Sequence, residues 1–323
     1  MSRRLVVIGG NGFIGQEVVQ QATEDGWEVL NLDPSEPHQS TGRTKQARHL
    51  AVSLTDLSVL ETAIGEFRPD AAINLAAFGD GIGGLASGAT SHPGQAVDVN
   101  IRGLVNLITA LDDAGCRHLI WASSSTVYGP VPASSFSGVR EDSALHPTIV
   151  YGATKVGAEH IARVLSTVLG IRSVAVRLPL IYGSGRWYGG SQDQLVRFVD
   201  DLVEGRPAHL DGWTDQADWM HACDAAGCLL ALANDESATA AAYNASGHRS
   251  SLFDMGLALI EAAGASDRAT VEPTSEGAPE LPLMDIGLIE ADLVHRPAVV
   301  TAGHGARLYV ESAIANLSAK DLT

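Results

Sequence analysis

The chain has 323 residues, 45% hydrophobic and 18% charged, with 21 basic residues against 38 acidic ones and a formal net charge of −17. This composition excludes global disorder, and the length allows one large domain or two smaller ones. The acidity argues against nucleic acid as a partner, because affinity there rests on neutralising phosphates with Lys and Arg, and against an anionic membrane surface.

Arg4 to Ile8 is a short apolar run that ends in glycines and reads as a buried parallel strand. Residues 13–25 carry helical spacing at Ile14, Val18, Val19 and Ala22, with Gly26 as the stop. Further strands are predicted at Trp27 to Leu32, Ala71 to Leu75, His118 to Ala122 and Arg172 to Arg177, the last after a helix from about Tyr151 to Leu169. The alternation predicts right-handed βαβ units in a doubly wound parallel sheet.

The segment from Gly79 to Gly88 holds five glycines in ten residues and is expected to be a mobile loop at a strand's C-terminal end. It reads equally as an active-site lid or a plain surface loop. After Pro179 the rhythm weakens, through a Gly-, Ser- and aromatic-rich stretch at 183–192 and a proline-bearing one at 266–283. The expected fold class is α/β: a Rossmann-type domain over residues 1–177, a smaller, less regular α/β substrate-binding domain mainly over 178–323, and a segment near 217–243 returning to the first.

Cys116, Cys223 and Cys228 are too few for a disulfide framework, and no Cys/His spacing resembles a zinc site, so no metal is expected. No stretch approaches the roughly 18 apolar residues that span a bilayer, and the N-terminal apolar run is too short for a leader. A cytoplasmic location without membrane attachment is expected.

Gly9-Gly10-Asn11-Gly12-Phe13-Ile14-Gly15 lies between the first strand and the first helix. Glycine is needed there for a tight turn, for close approach of a pyrophosphate, and for close packing of helix on strand. The helix N-terminus then offers N–H groups and a positive dipole end to the anion. Asp33 closes the second strand 18 residues after Gly15. A carboxylate there accepts both ribose hydroxyls of an adenosine and repels a 2′-phosphate, and no Arg or Lys follows until Arg43. NAD is therefore expected over NADP.

Tyr151 and Lys155 stand four apart on a predicted helix, so they share a face. A neighbouring ammonium and a positive nicotinamide favour the phenolate, which can then take a proton from a substrate hydroxyl as hydride leaves its carbon. Upstream, Ser123-Ser124-Ser125-Thr126 follows a buried strand, where hydroxyls point into the crevice and one can hold the reacting oxygen.

These motifs, with Asn74-Leu-Ala-Ala77, Asn100-Ile-Arg-Gly-Leu-Val-Asn-Leu107, Arg177-Leu-Pro-Leu-Ile-Tyr-Gly183 and Asp218-Trp-Met-His-Ala-Cys-Asp224, make the chain resemble an extended short-chain dehydrogenase/reductase of the NAD-dependent epimerase/dehydratase family. The resemblance implies that Ser124 is the catalytic hydroxyl, Tyr151 the base, and Lys155 its tuner and a ligand of the nicotinamide ribose. It implies a cofactor lining of Gly9, Gly12, Phe13, Ile14, Gly15, Asp33, Leu54, Leu75, Ala76, Ala77, Asn100, Tyr151 and Lys155. Asn100 would brace the central helix. A homodimer built on paired helices is also implied.

Departures from the family pattern bear on substrate. Ser125 and Thr126 stand where the dehydratase branch carries an Asp-Glu pair, so 4,6-dehydration is not expected. Leu180 and Ala217 stand where nucleotide-sugar epimerases carry an asparagine and an arginine that hold a sugar diphosphate. Arg186, Arg249 or Arg296 would have to substitute. Ser53 replaces an aspartate usual near the adenine. Ser124, Thr126, Leu180 and Arg186 are the candidate substrate contacts, and Trp187 or Tyr188 would stack on a sugar or pack the domain junction. His221 reads as structural.

The first expectation is an NAD-dependent oxidoreductase acting on a secondary alcohol of a sugar-like or polyol substrate. The alternative is a UDP-sugar-type epimerase with rearranged diphosphate anchors. A third, a non-catalytic NAD sensor, would not need the base.

Overall fold

The computed structural model describes residues 2–36, 47–81, 83–130, 138–186, 190–278, 280–293 and 298–320. The first part of the chain runs β1 (Arg4–Ile8), α1 (Phe13–Glu24), β2 (Glu28–Leu32), β3 (Arg48–Leu50), α2 (Leu57–Phe67), β4 (Ala71–Asn74), α3 (Gly84–Ser91) and α4 (Pro93–Val97). A π-helical turn, Asp98–Arg102, leads into α5 (Gly103–Asp113), β5 (His118–Ser124), a 3₁₀ turn at Ser125–Val127, α6 (Val150–Leu169) and β6 (Arg172–Leu178). There follow β7 (Leu180–Tyr182), α7 (Asp193–Val203), β8 (Ala208–Trp213), β9 (Ala217–His221), α8 (Ala222–Asn234), β10 (Ala242–Asn244), β11 (His248–Ser250), α9 (Leu252–Ala263), β12 (Ala269–Thr274), α10 (Gly287–Asp292) and α11 (Ala302–Lys320).

Seven parallel strands form the main sheet in the order β10-β6-β5-β4-β1-β2-β3. The direction of winding reverses between β1 and β4, and a crevice opens beyond the strand ends at such a point. Strand periodicity of two sends alternate residues to opposite faces. Leu5 and Val7 of β1 join one core, with Val18, Val19 and Leu229 of α1 and α8. Val6 and Ile8 join the other, with Leu60, Leu107 and Ala158 of α2, α5 and α6. Both faces are therefore covered, and the strands can be apolar throughout.

β10 adds to the sheet edge beside β6, so the chain returns to the main sheet after β7 to β9. A third core collects Leu180, Tyr182, Phe198, Trp219, Met255 and Tyr309 around the three-stranded sheet β11-β9-β7 and the pair β12-β8.

Two expectations are corrected. The glycine-rich stretch is only partly a loop, because α3 starts at Gly84. The Asp80 carboxylate accepts from the Gly83 N–H at 2.7 Å just ahead of the helix, and Gly88 lies so close to Asp80 that a β-carbon would meet its backbone N at 2.7 Å. The region after Pro179 is also more regular than its rhythm suggested, with six strands and five helices among the described residues. Several of those strands have only three residues, too few to show a period. Among the described residues no helix is long and apolar enough to cross a membrane.

Candidate active site

One cavity of about 840 Å³ runs along the C-terminal ends of β1, β2, β4, β5 and β6 and the start of β7. It is lined at one end by Asp33 and Leu54, in the middle by Gly9, Gly12, Phe13, Ile14, Gly15, Leu75, Ala76 and Ala77, and beyond them by Ser124, Thr126, Tyr151, Lys155, Leu180 and Arg186. Every site residue expected from sequence lies on this wall except Asn100.

The turn between β1 and α1 is shaped by glycine. Gly9 has φ +79°, and a β-carbon there would meet the Ala76 backbone N at 2.8 Å. A β-carbon on Gly15 would lie closer still to the Gly9 carbonyl oxygen. A side chain at either position would push the turn away from β4 or from α1 and close the cradle at the helix N-terminus. Asp33 is buried, and its Oδ2 accepts from the Asn11 N–H at 3.0 Å while Oδ1 accepts from the Ser35 N–H and hydroxyl. The Asp33 carboxylate is thereby fixed facing the cavity end.

Ser124 ends β5. Its Oγ accepts from the Thr126 hydroxyl at 2.9 Å and the Thr126 N–H at 3.2 Å, so the two hydroxyls act as one unit at the lip of the 3₁₀ turn. Ser123 is turned the other way and donates to Glu159 at 2.6 Å. Tyr151 and Lys155 face the cavity from the first turns of α6. Lys155 is buried, donates to the Ala122 carbonyl at 2.8 Å, and holds its ammonium 5.6 Å from the Tyr151 ring centre. Burial pushes its pKa down to about 8, against a smaller opposing pull from Glu159.

Asn100 sits in the π-helical turn behind this wall. Its Oδ1 accepts from the Phe78 N–H at 2.8 Å and its Nδ2 donates to Thr154 Oγ1 at 2.9 Å. Thr154 in turn donates to the Tyr151 carbonyl. Asn100 therefore ties the chain after β4 to the start of α6, and its place is behind the cavity wall.

Sequence reasoning missed the ion pair one helical turn beyond Lys155. Arg177, on β6, forms a buried two-pronged ion pair with Glu159, at 2.6 and 3.0 Å, and donates to the Tyr128 hydroxyl at 2.6 Å. The available signal was Tyr151, Lys155 and Glu159 at successive steps of four on one helix face.

His221 caps α8, its Nδ1 accepting from the Cys223 N–H at 3.2 Å, which fits its structural reading. Trp187, Tyr188, Arg43 and Arg296 fall outside the described residues. His209, Asp211 and Glu272 come together on the exposed side of β8 and β12, but none of them lines the cavity.

The strand order, the glycine turn, the strand-end aspartate and the Ser–Tyr–Lys cluster together define a dinucleotide-binding α/β enzyme of the short-chain dehydrogenase/reductase class. The chain belongs to the NAD dependent epimerase/dehydratase family, whose sequence model matches residues 5–246. It is 28% identical over 302 residues to UDP-glucose 4-epimerase 2 of Arabidopsis thaliana, covering 82% of each chain. It is 28% identical over 174 residues to the UDP-glucose 4-epimerase of Lactobacillus helveticus, where the match spans 54% of this chain and 50% of that one. Among solved structures, the UDP-glucose 4-epimerase of Thermus thermophilus in complex with NAD superposes with a TM-score of 0.79 at 25% identity, over 96% of this chain and 98% of that one.

Proposed function

We propose that the protein is an NAD-dependent epimerase of a nucleotide-sugar, inverting a secondary carbinol carbon. One observation carries the reading: a single continuous cavity holds a dinucleotide cradle at one end and the Ser124–Tyr151–Lys155 cluster next to further open space at the other. Two relatives that each match over 82% of the chain are named as a UDP-glucose 4-epimerase and a dTDP-L-rhamnose 4-epimerase, and this supports the reading. They favour this reading over net oxidation of a free polyol. Ser125 and Thr126, in place of an acidic pair, argue against dehydration.

The residues fit NAD. The cradle at Gly9–Gly15 is one that a β-carbon would fill, and it faces the N-terminus of α1, which suits a pyrophosphate. Asp33 suits unphosphorylated ribose hydroxyls. When bound there, the nicotinamide would accept a hydride from the carbinol carbon and give it back.

The chain's own residues handle the proton and the geometry. Ser124, aligned by Thr126, hydrogen-bonds the substrate oxygen and holds it against Tyr151. The Tyr151 phenolate oxygen takes the hydroxyl proton and later returns it. The Lys155 ammonium stabilises that phenolate through space, and its own position is set by the Ala122 carbonyl. Leu75, Ala76 and Leu180 add apolar surface to the same cavity wall.

Incubation of the NAD-loaded protein with UDP-glucose, UDP-galactose, dTDP-sugars and free sugars or polyols, with products read by NMR, tests this. An epimer formed from a nucleotide-sugar without net NADH is expected. NADH accumulating with a free polyol, and no nucleotide-sugar consumed, would restore the dehydrogenase reading.

A further inference from the structure

We infer that Arg186 is the specificity-determining anchor for the substrate's phosphates in this chain, an inference that rests on the nucleotide-sugar reading. Four charged side chains line the cavity among the described residues: Asp33, Lys155, Arg186 and Glu280. Asp33 sits at the far end beside Asn11 and Ser35, and Lys155 is held at the base by the Ala122 carbonyl. Glu280 is an anion and repels phosphate. Only Arg186 among them can serve a phosphate on the substrate side.

Among the described residues, the other candidate positions are occupied or committed elsewhere, and Arg296 lies outside those residues. Leu180 and Ala217, at the positions where related epimerases hold the diphosphate, are buried in the core with Tyr182 and Trp219 and offer no donor. Arg249 is committed elsewhere: its Nε donates to buried Asp218 at 3.2 Å and its Nη2 to the Met284 carbonyl at 3.0 Å, away from the cavity lining.

Arg186 follows β7 and reaches back over α1. Its guanidinium carbon lies 5.9 Å from the ring centre of Phe13, the first residue of that helix, and Nη1 donates to the Ile181 carbonyl at 3.4 Å. Its Nη2 lies 3.7 Å from where a β-carbon of Gly190 would stand. The aromatic face and the Ile181 carbonyl pre-orient a planar fork, which matches phosphate oxygens in pairs. In a chain of charge −17 there is no general pull on an anion, which makes a cation on the substrate side matter, and among the described cavity-lining residues this fork is the one that can serve there.

Calorimetric titration of the NAD-loaded protein with UDP, for wild type, Arg186→Met and Arg186→Lys, tests the assignment, with melting temperature and bound NAD checking each fold. Losing one charge-assisted anchor is expected to weaken UDP binding about 10- to 100-fold in Arg186→Met. Arg186→Lys should recover part of that affinity, because it keeps the charge and loses the fork. UDP binding unchanged in folded Arg186→Met would overturn the assignment and leave the nucleotide-sugar reading standing. If wild type binds glucose 1-phosphate through Arg186 but not UDP, the anchor stands and the nucleotide-sugar reading falls. Binding of neither anion to wild type overturns both.

Discussion

In the proposed mechanism Tyr151 and Lys155 carry the chemistry, and a substitution at each separates chemistry from folding. Tyr151→Phe removes one oxygen at the cavity wall and is expected to abolish turnover while NAD affinity stays within a few-fold of wild type; full activity in that variant would contradict the base assignment. Lys155→Met should also be inactive, yet it should melt no lower than wild type at pH 7. The folded chain holds the Lys155 proton only up to about 8, whereas the unfolded chain holds it to its ordinary value of 10.5. Between those values the unfolded state binds more protons, so stability rises with pH. Below that window the buried ammonium costs ~3 kcal/mol, which methionine removes. A melting point that falls at pH 7 in Lys155→Met would show that the Ala122 bond outweighs this. The tyrosine and lysine were legible in the sequence because their relation needs only a helix. Glu159 lies on the same face, but its partner Arg177 arrives 18 residues later on β6, and only the crossover brings the two charges together.

That ion pair belongs to the scale of elements, since it staples α6 to β6 and, through Ser123, to the end of β5. Glu159→Gln would leave the buried Arg177 guanidinium without its counter-charge. The expected loss is about 3–5 kcal/mol, seen as a lower denaturant midpoint with unchanged slope; a loss below ~1 kcal/mol would mean that Tyr128 and the Glu141 carbonyl suffice for Arg177. Element by element, legibility followed length. α1 and α6 hold enough turns to show a 3.6-residue period, and β1 and β4 are runs of apolar residues between glycines or polar ends. α3 was hidden because glycines at 79, 81, 83 and 84 read as a loop, while the hydrogen bond from the Gly83 N–H to the Asp80 carboxylate and the packing at Gly88 show only in the folded chain. Likewise the anchors at Leu180 and Ala217 are missing in the sequence itself, but the proposal of Arg186 in their stead needed the course of the chain after β7.

At the scale of the whole molecule, the exposed stripe of Ile161, Val164 and Val168 on α6, at 37%, 60% and 72% exposure, is where the expected homodimer would form. Val164→Glu is expected to give a monomer by light scattering, and a mass unchanged from a wild-type dimer would put the interface elsewhere. The acid limit of the fold should be set in part by His118, pushed down to about 4 by burial and then by Arg172 and Arg3. The unfolded chain takes up that proton below its ordinary value of 6.5, so stability is lost as pH falls from about 6.5 to 4, and His118→Phe should flatten this limb. A denaturation curve with the same acid slope in that variant would remove His118 from the account. The central claim concerns the fate of the hydride, and the most direct measurement follows a UDP-sugar carrying deuterium at the carbon that is inverted. The account predicts an epimer that keeps its deuterium at that carbon, with no net reduced cofactor. Deuterium lost from the sugar in step with accumulating reduced cofactor would contradict it.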